Sequence, residues 1–181
     1  MKPDTALSEL IYKSSVQAFE EWRLAFPEER IFAFAISTID DANYVNASIN
    51  SIESYNRKLL KRKIEPHSPA GLDAKWGPWE WENEYIGKSY FSVVDEKLNQ
   101  MYESHSDRNL FHEFRITVFE SMLLTLDKLR RNAVISNFGD CANIVLFATV
   151  YGSPDAKRLH RRSASLFHDP SETTEFLVVM G

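Results

Sequence analysis

Cysteine is nearly absent from this chain: Cys141 is the single thiol in 181 residues. One cysteine closes no internal disulfide, and secreted chains of this size often carry several. Long apolar runs are missing too. IFAFAI and IVLFATV stop at six and seven residues, far short of the roughly 20 that a membrane-spanning helix needs. The opening MKPDTALSELIYKSS holds no unbroken apolar stretch of the signal-peptide kind. A cytoplasmic protein without a membrane segment is expected.

Glycine and proline are scarce, at 6 and 7, which leaves little for linkers or for a phosphate-cradling loop. Neither a Gly-x-Gly-x-x-Gly nor a Walker pattern occurs, and no cofactor is implied. A basic excess is lacking as well: 26 acidic against 21 basic side chains give a net charge of -5. That argues against a nucleic-acid partner, which asks for a basic surface. The five histidines, His67, His105, His112, His160 and His168, show no His-x-x-x-His or His-Glu-x-x-His spacing, so no metal site is expected. There is no Gly-x-Ser-x-Gly elbow and no Cys-x-x-Cys. Cys141 follows Gly139-Asp140 at a strand entrance; it is conceivable as a nucleophile but reads first as a small buried residue.

What is present is apolar and aromatic. Hydrophobic residues make up 44% and aromatics 13%, enough for the packed core of a single domain over residues 1–181. Asp4 or Thr5 caps a first helix in which Leu7, Leu10, Ile11, Phe19, Trp22 and Phe26 form one stripe before Pro27. Ile31–Ile39 reads as a strand covered on both faces. Asp40-Asp41-Ala42-Asn43 is a turn, and Tyr44–Ile49 a second strand. Ser51 opens a helix to about Lys63, whose RKLLKRK half favours a helix C-terminus. Residues 64–74 read as a loop.

Residues 75–87, KWGPWEWENEYIG, hold three of the four tryptophans within six positions. Gly77-Pro78 resembles a helix start, with Trp81 and Tyr85 on one face and Gly87 as the stop. Tyr90–Tyr102 and Leu110–Leu129 have helical periodicity, the latter central and buried. Asn137-Phe-Gly-Asp is a turn, Ala142–Tyr151 a covered strand, and 153–167 a helix with Leu159, Ala164 and Leu166 inward. Its KRLHRR run reads as a solvated face. The tail TEFLVVMG could be strand or helix, with strand favoured on Val178-Val179.

The strand Phe32-Ala33-Phe34-Ala35-Ile36, the Asp40-Asp41 turn, the strand around Tyr44-Val45-Asn46-Ala47-Ser48 and the Trp76-x-Pro78-x-Glu80-Trp81 element together resemble a bacterial domain-of-unknown-function family, number 4303. Ile144–Val150, Ser163-Ala164 and Leu166-Phe167-His168-Asp169-Pro170 extend the likeness over about residues 30–170. Ser48-Ile49-Asn50-Ser51 departs from the family's usual Ala-Asn-Thr-Glu tract, and Phe167-His168-Asp169-Pro170 from its Leu-Asn-Pro. The resemblance implies a small single-domain protein like those found with toxin–immunity systems; it carries no catalytic residues to transfer.

The expected fold is therefore α+β, a mainly antiparallel sheet covered by helices, with the tryptophan segment capping one end of the core. Trp81 is expected inside, and Trp76 or Trp79 partly exposed. The expected function is protein binding of the immunity type, neutralising a basic toxin-like partner. Trp76, Trp79, Glu80, Glu84, Asp40 and Asp41 are the partner-binding candidates. Two alternatives stand beside it. One is an enzyme of unknown reaction with a cleft near Trp79, Glu80, Glu84 and His112; the other is a homodimer or larger homo-oligomer with a structural or regulatory role.

Overall fold

The computed structural model describes residues 2–103, 108–135 and 144–181. Cys141, His105 and the turn expected at Asn137-Phe-Gly-Asp lie outside the described residues, as does the start of the strand expected from Ala142.

The chain opens with α1 (Thr5–Ala25), capped by Asp4, whose Oδ1 accepts the Leu7 N–H at 2.8 Å. Leu7, Ile11, Ala18, Phe19 and Trp22 form its buried stripe, the helical period making a core face. Strand β1 (Ile31–Ile39) then pairs antiparallel with β2 (Asn46–Ser51), and β2 antiparallel with β3 (Asn83–Ile86). On its other side β1 runs parallel to β4 (Val145–Tyr151). The sheet order is β3-β2-β1-β4, mixed and mostly antiparallel, as an α+β domain.

Alternation along the strands creates two cores. Phe34, Ile36, Ala47, Ile49, Leu146, Ala148 and Val150 face α1, α4 (Ser92–Glu103) and α5 (Arg108–Arg131). Ala33, Ala35, Val145 and Phe147 point the other way, onto Trp76, Trp81, Phe176 and Met180. A register shift between Ile31 and Ala33 lets Ile31 join the first core while Phe32 packs against the second. That is the local effect of a β-bulge, which breaks the period of two.

The outer edge of β4 is closed by α6 (Asp155–Phe167) and the residue after it. Ser163 Oγ accepts the Ala148 N–H at 3.0 Å, and His168 Nε2 accepts the Leu146 N–H at 2.9 Å. Unpaired strand N–H groups invite other strands; here side chains occupy them.

Four expectations need correction. Residues 64–74 are not all loop: Pro69–Trp76 form α3, because Ser68 Oγ accepts the Gly71 N–H at 3.1 Å and Pro69 sits at the first helical position. Asn50 Nδ2 then donates to the Ala74 and Lys75 carbonyls at 3.1 and 3.0 Å, anchoring the end of that helix to β2. The tail is α7 (Pro170–Met180), not a strand. A capping box outweighs the β-branched Val178-Val179: Asp169 accepts from the Glu172 backbone, and its own N–H donates to Glu172 Oε2 at 3.1 Å. Leu166 faces out, 52% exposed, and Phe167 takes its place in the core.

The fourth correction concerns the tryptophans. Pro78–Glu80 make only one 3-10 turn, and the chain then extends into β3. Trp81 and Tyr85 share no helix face. Trp79-Glu80-Trp81-Glu82 alternates aromatic with acid, a period of two that suits an extended chain better than a helix.

Candidate functional site at the end of the sheet

Trp76 and Trp81 are core residues, each 5% exposed. Buried indoles usually find a hydrogen-bond partner, and these two do. Trp76 Nε1 donates to Glu175 Oε1 at 2.8 Å and Trp81 Nε1 to the Lys75 carbonyl at 3.2 Å. Trp81 meets Phe147 edge to face at 5.9 Å, and Trp76 meets Phe32 likewise at 5.7 Å. Trp79 stands apart at 45% exposed, its ring edge-on to Tyr151 at 6.0 Å and its Nε1 3.4 Å from Asp73 Oδ2.

The glutamates of this segment divide. Helix α2 (Ile52–Arg62), capped by Ser51, lays its basic half against them. Lys58 Nζ lies 2.7 Å and Arg62 Nη1 2.8 Å from Glu80 Oε2. Arg57 bridges Glu29 at 2.7 Å and Glu82 at 3.1 Å. The Lys58 hydrogen bond holds the Glu80 carboxyl below its ordinary range. The basic run and the acids between the tryptophans thus neutralise each other, and Glu80 is already engaged. Glu84 lies beyond that network.

Strand register carries the remaining candidates to one place. Ile39 pairs with Tyr151, and Ser37 with both Asn46 and Thr149. Therefore Asp40-Asp41 after β1, Tyr44 before β2 and Tyr151 closing β4 occupy the same end of the sheet. Residues Glu84 and Tyr85 reach it from β3, where Ala47 pairs with Ile86 but Ile49 pairs with Asn83. Between those pairs Glu84 and Tyr85 of β3 oppose Ser48 alone on β2, a bulge, and Tyr85 inside it has φ 58. A bulky residue in the left-handed region is strained, and bulges often re-aim a side chain. The Tyr85 ring is 39% exposed.

Burial raises the Tyr151, Tyr85 and Tyr44 hydroxyls above the ordinary value of 10. For Tyr85 the hydrogen bond with Glu84 adds to the rise; for Tyr44 the hydrogen bond with Tyr85 works against it. Hydroxyls shifted this way are poor bases near neutrality and serve as donors and as contact rings. Ser37 Oγ donates to Asn46 Oδ1 at 2.7 Å, yet Asn46 Nδ2 is buried without a hydrogen-bond partner. Such groups are rare and need a reason.

The two aspartates differ. Asp40 Oδ1 is 2.7 Å from Arg115 of α5, which also reaches Asp155 at 3.0 Å and so ties the β1–β2 turn to α6. Asp41 is exposed and makes none of the described ion pairs. His112 is exposed on α5, a helix of the opposite face, so it does not join Trp79, Glu80 and Glu84 in a cleft. Among the described residues no three of His, Cys, Asp and Glu are gathered to hold a metal, and no helix is long and apolar enough to cross a membrane.

Of the six candidates in the sequence, Trp76 is a core residue and Glu80 is held by Lys58 and Arg62, which leaves Trp79, Glu84, Asp40 and Asp41; Tyr44, Tyr85 and Tyr151 are not among the six. The alternating aromatics and acids of residues 79–85 were the available signal.

The molecule is thus an α+β domain with a mixed sheet, bearing an aromatic and acidic rim at the end where the parallel pair terminates. The model of DUF4303, a domain of unknown function, matches residues 11–166, and the chain belongs to that family. No curated protein and no solved structure matches it.

Proposed function

We propose that this is a cytosolic protein-binding module of the bacterial immunity type, which neutralises a basic, toxin-like partner through the sheet end. The observation that carries the reading is the convergence there of Trp79, Tyr85 and Tyr44 with Glu84 and Asp41. Aromatic anchors ringed by charge are the usual composition of interface hot spots. Acidic groups speed encounter with a basic surface and select against acidic ones. The tyrosines, held protonated, suit recognition better than proton transfer.

The test is quantitative capture on the immobilised protein from lysate of its own cell type, comparing wild type, Trp79→Ala and Leu24→Ala. Leu24 is 85% exposed on α1, before the start of β1 and away from the rim. A basic protein retained by wild type and Leu24→Ala but lost from Trp79→Ala, with retention weakening as salt rises, supports the reading. Identical protein sets from all three baits overturn it.

A further inference from the structure

A cavity of about 250 Å³ opens beside the tyrosines, between the β1–β2 loop and the first turn of α4. Drug-sized ligands usually occupy roughly 300–1,000 Å³, so this one suits a single long side chain. Val45 and Phe91, 1% and 2% exposed, supply apolar surface. Tyr44 and Tyr85 supply ring faces, and Asp95 supplies a carboxylate.

Asp95 is the group in need of a partner. Its Oδ1 is buried and closes no hydrogen bond. A buried carboxylate oxygen left without a donor is costly, and a cation or a further donor relieves it. Burial pushes its carboxyl above the ordinary range, against the pull of the Val45 N–H and the Lys88 ammonium. Lys88 lines the cavity but is exposed on the turn before α4 and makes none of the described ion pairs. A carboxylate behind aromatic rings is the arrangement that holds organic cations. The strained φ of Tyr85 sets its ring at this mouth.

We propose that the cavity is an anchor site for one cationic side chain, lysine or arginine, of the basic partner. The head group meets Asp95, its methylenes lie along Val45 and Phe91, and Tyr44 and Tyr85 flank it. Lys88 acts as a displaceable placeholder. This rests on the reading of a basic partner, and gives that partner's charge a particular receptor.

The test uses the folded full chain and three capped amino acids, the N-acetyl methylamides of lysine, arginine and norleucine, followed by two-dimensional amide NMR. Saturable shifts of Tyr44, Val45, Tyr85 and Asp95 with lysine or arginine, and none with uncharged norleucine, are expected; the stronger of the two names the side chain. Asp95→Asn should weaken binding at least about tenfold, the loss of one hydrogen bond to a charged group. Lys88→Ala should tighten it about threefold by removing like-charge competition. Equal binding by Asp95→Asn, or saturation by norleucine, overturns the proposal. Should Asp95→Asn spread shifts across the whole spectrum, Lys88→Ala decides: unchanged or weaker binding overturns it. No partner is in the tube, so failures separate. A Trp79-dependent partner without cation binding overturns the anchor alone; cation binding without such a partner supports the anchor and overturns the partner reading.

Discussion

The two faces of the sheet are built from alternate residues of the same strands, yet they differ in kind. On the first face Phe34, Ile36, Ile49, Leu146 and Val150 meet Phe19, Val118, Phe119 and Met122, and along β1 the apolar alternation ends only at the buried Thr38. The second face changes along its length. It begins with Phe32, Ala33, Val145 and Phe147 under Trp76, Trp81 and Phe176, then passes through Ser48, Ser37, Thr149 and Asn46. The first face buries area; the second buries aromatic area at one end and polar groups at the other. Asn46 Nδ2 is unpaired at that polar end, with Asp95 Oδ1 beside it, while Ser15 Oγ and Trp22 Nε1 of α1 are unpaired under the first face.

If the aromatic half of the second face is as structural as the first face, Phe34→Ala and Trp81→Ala should have similar effects. Each should lose about 3–5 kcal/mol in urea unfolding, the usual range for removing a large buried ring. A loss below about 1 kcal/mol for Trp81→Ala would show that the tryptophan segment rests on the domain without completing its core.

Gly87 follows β3 and lies against α1 on the first face. Its φ of +55 lies in the left-handed region, and a Cβ there would collide with Ala18 of α1. Gly87→Ala should therefore destabilise by about 2 kcal/mol, combining strain with a steric conflict. Equal stability of the variant in thermal unfolding would refute this.

Acid provides a graded way to separate the faces. His160 lies between the Met180 carbonyl, 2.7 Å from Nδ1, and Thr149 Oγ1, 2.9 Å from Nε2, on the second face. Burial pushes it below its ordinary 6.5, and His168 is lowered for the same reason. The unfolded chain then takes up protons first as pH falls. The stability from neutral imidazoles is complete above about 6.5 and is lost on acidification toward the folded values. Urea midpoints should fall between pH 7 and 5, and His160→Asn should flatten that slope while leaving the part due to His168. An unchanged slope in the variant would remove His160 from the account.

Much of this was legible where one short-range rule governed the chain. Asp4 capping α1, Ser51 capping α2, the covered strand at Ile31–Ile39 and the long α5 all follow from period and cap. The misreadings arose where two local rules competed. Val178-Val179 has strand propensity, but the Asp169–Glu172 box had already started a helix. Pro66 and Pro69 look like breakers, yet Ser68-Pro69 is a helix start. At Gly77-Pro78 the helix signal was real for one turn, and the aromatic–acid alternation then prevailed. The candidate site was legible only in part, because Tyr44, Tyr85 and Tyr151 are far apart in sequence and meet through strand register. Nothing local marks Tyr85 as left-handed; the bulge that requires it comes from pairing β3 with β2.

Tyr85 permits a smaller test of the same contrast. Glycine adopts its backbone conformation without strain, and the lost ring is partly exposed. Tyr85→Gly should leave the fold intact and stabilise it by up to about 1 kcal/mol, while weakening capture of the basic partner. A destabilised variant would mean that the ring contributes more to packing than its backbone strain removes.

The smallest expected effect on stability is at Trp79. Trp76, Trp79 and Trp81 lie within one short segment, but Trp79 alone is half out of the protein, touching Tyr151 edge-on. Losing that contact in Trp79→Ala should lower unfolding free energy by less than about 1 kcal/mol, near the range of ordinary surface changes. Trp81→Ala, two residues away, should lose several times more. That ratio separates the roles of neighbouring tryptophans: one completes the core, and the other is a large apolar ring held at an acidic rim with little to do for the fold. A Trp79→Ala variant as unstable as Trp81→Ala would make Trp79 part of the core and remove the rim's principal anchor.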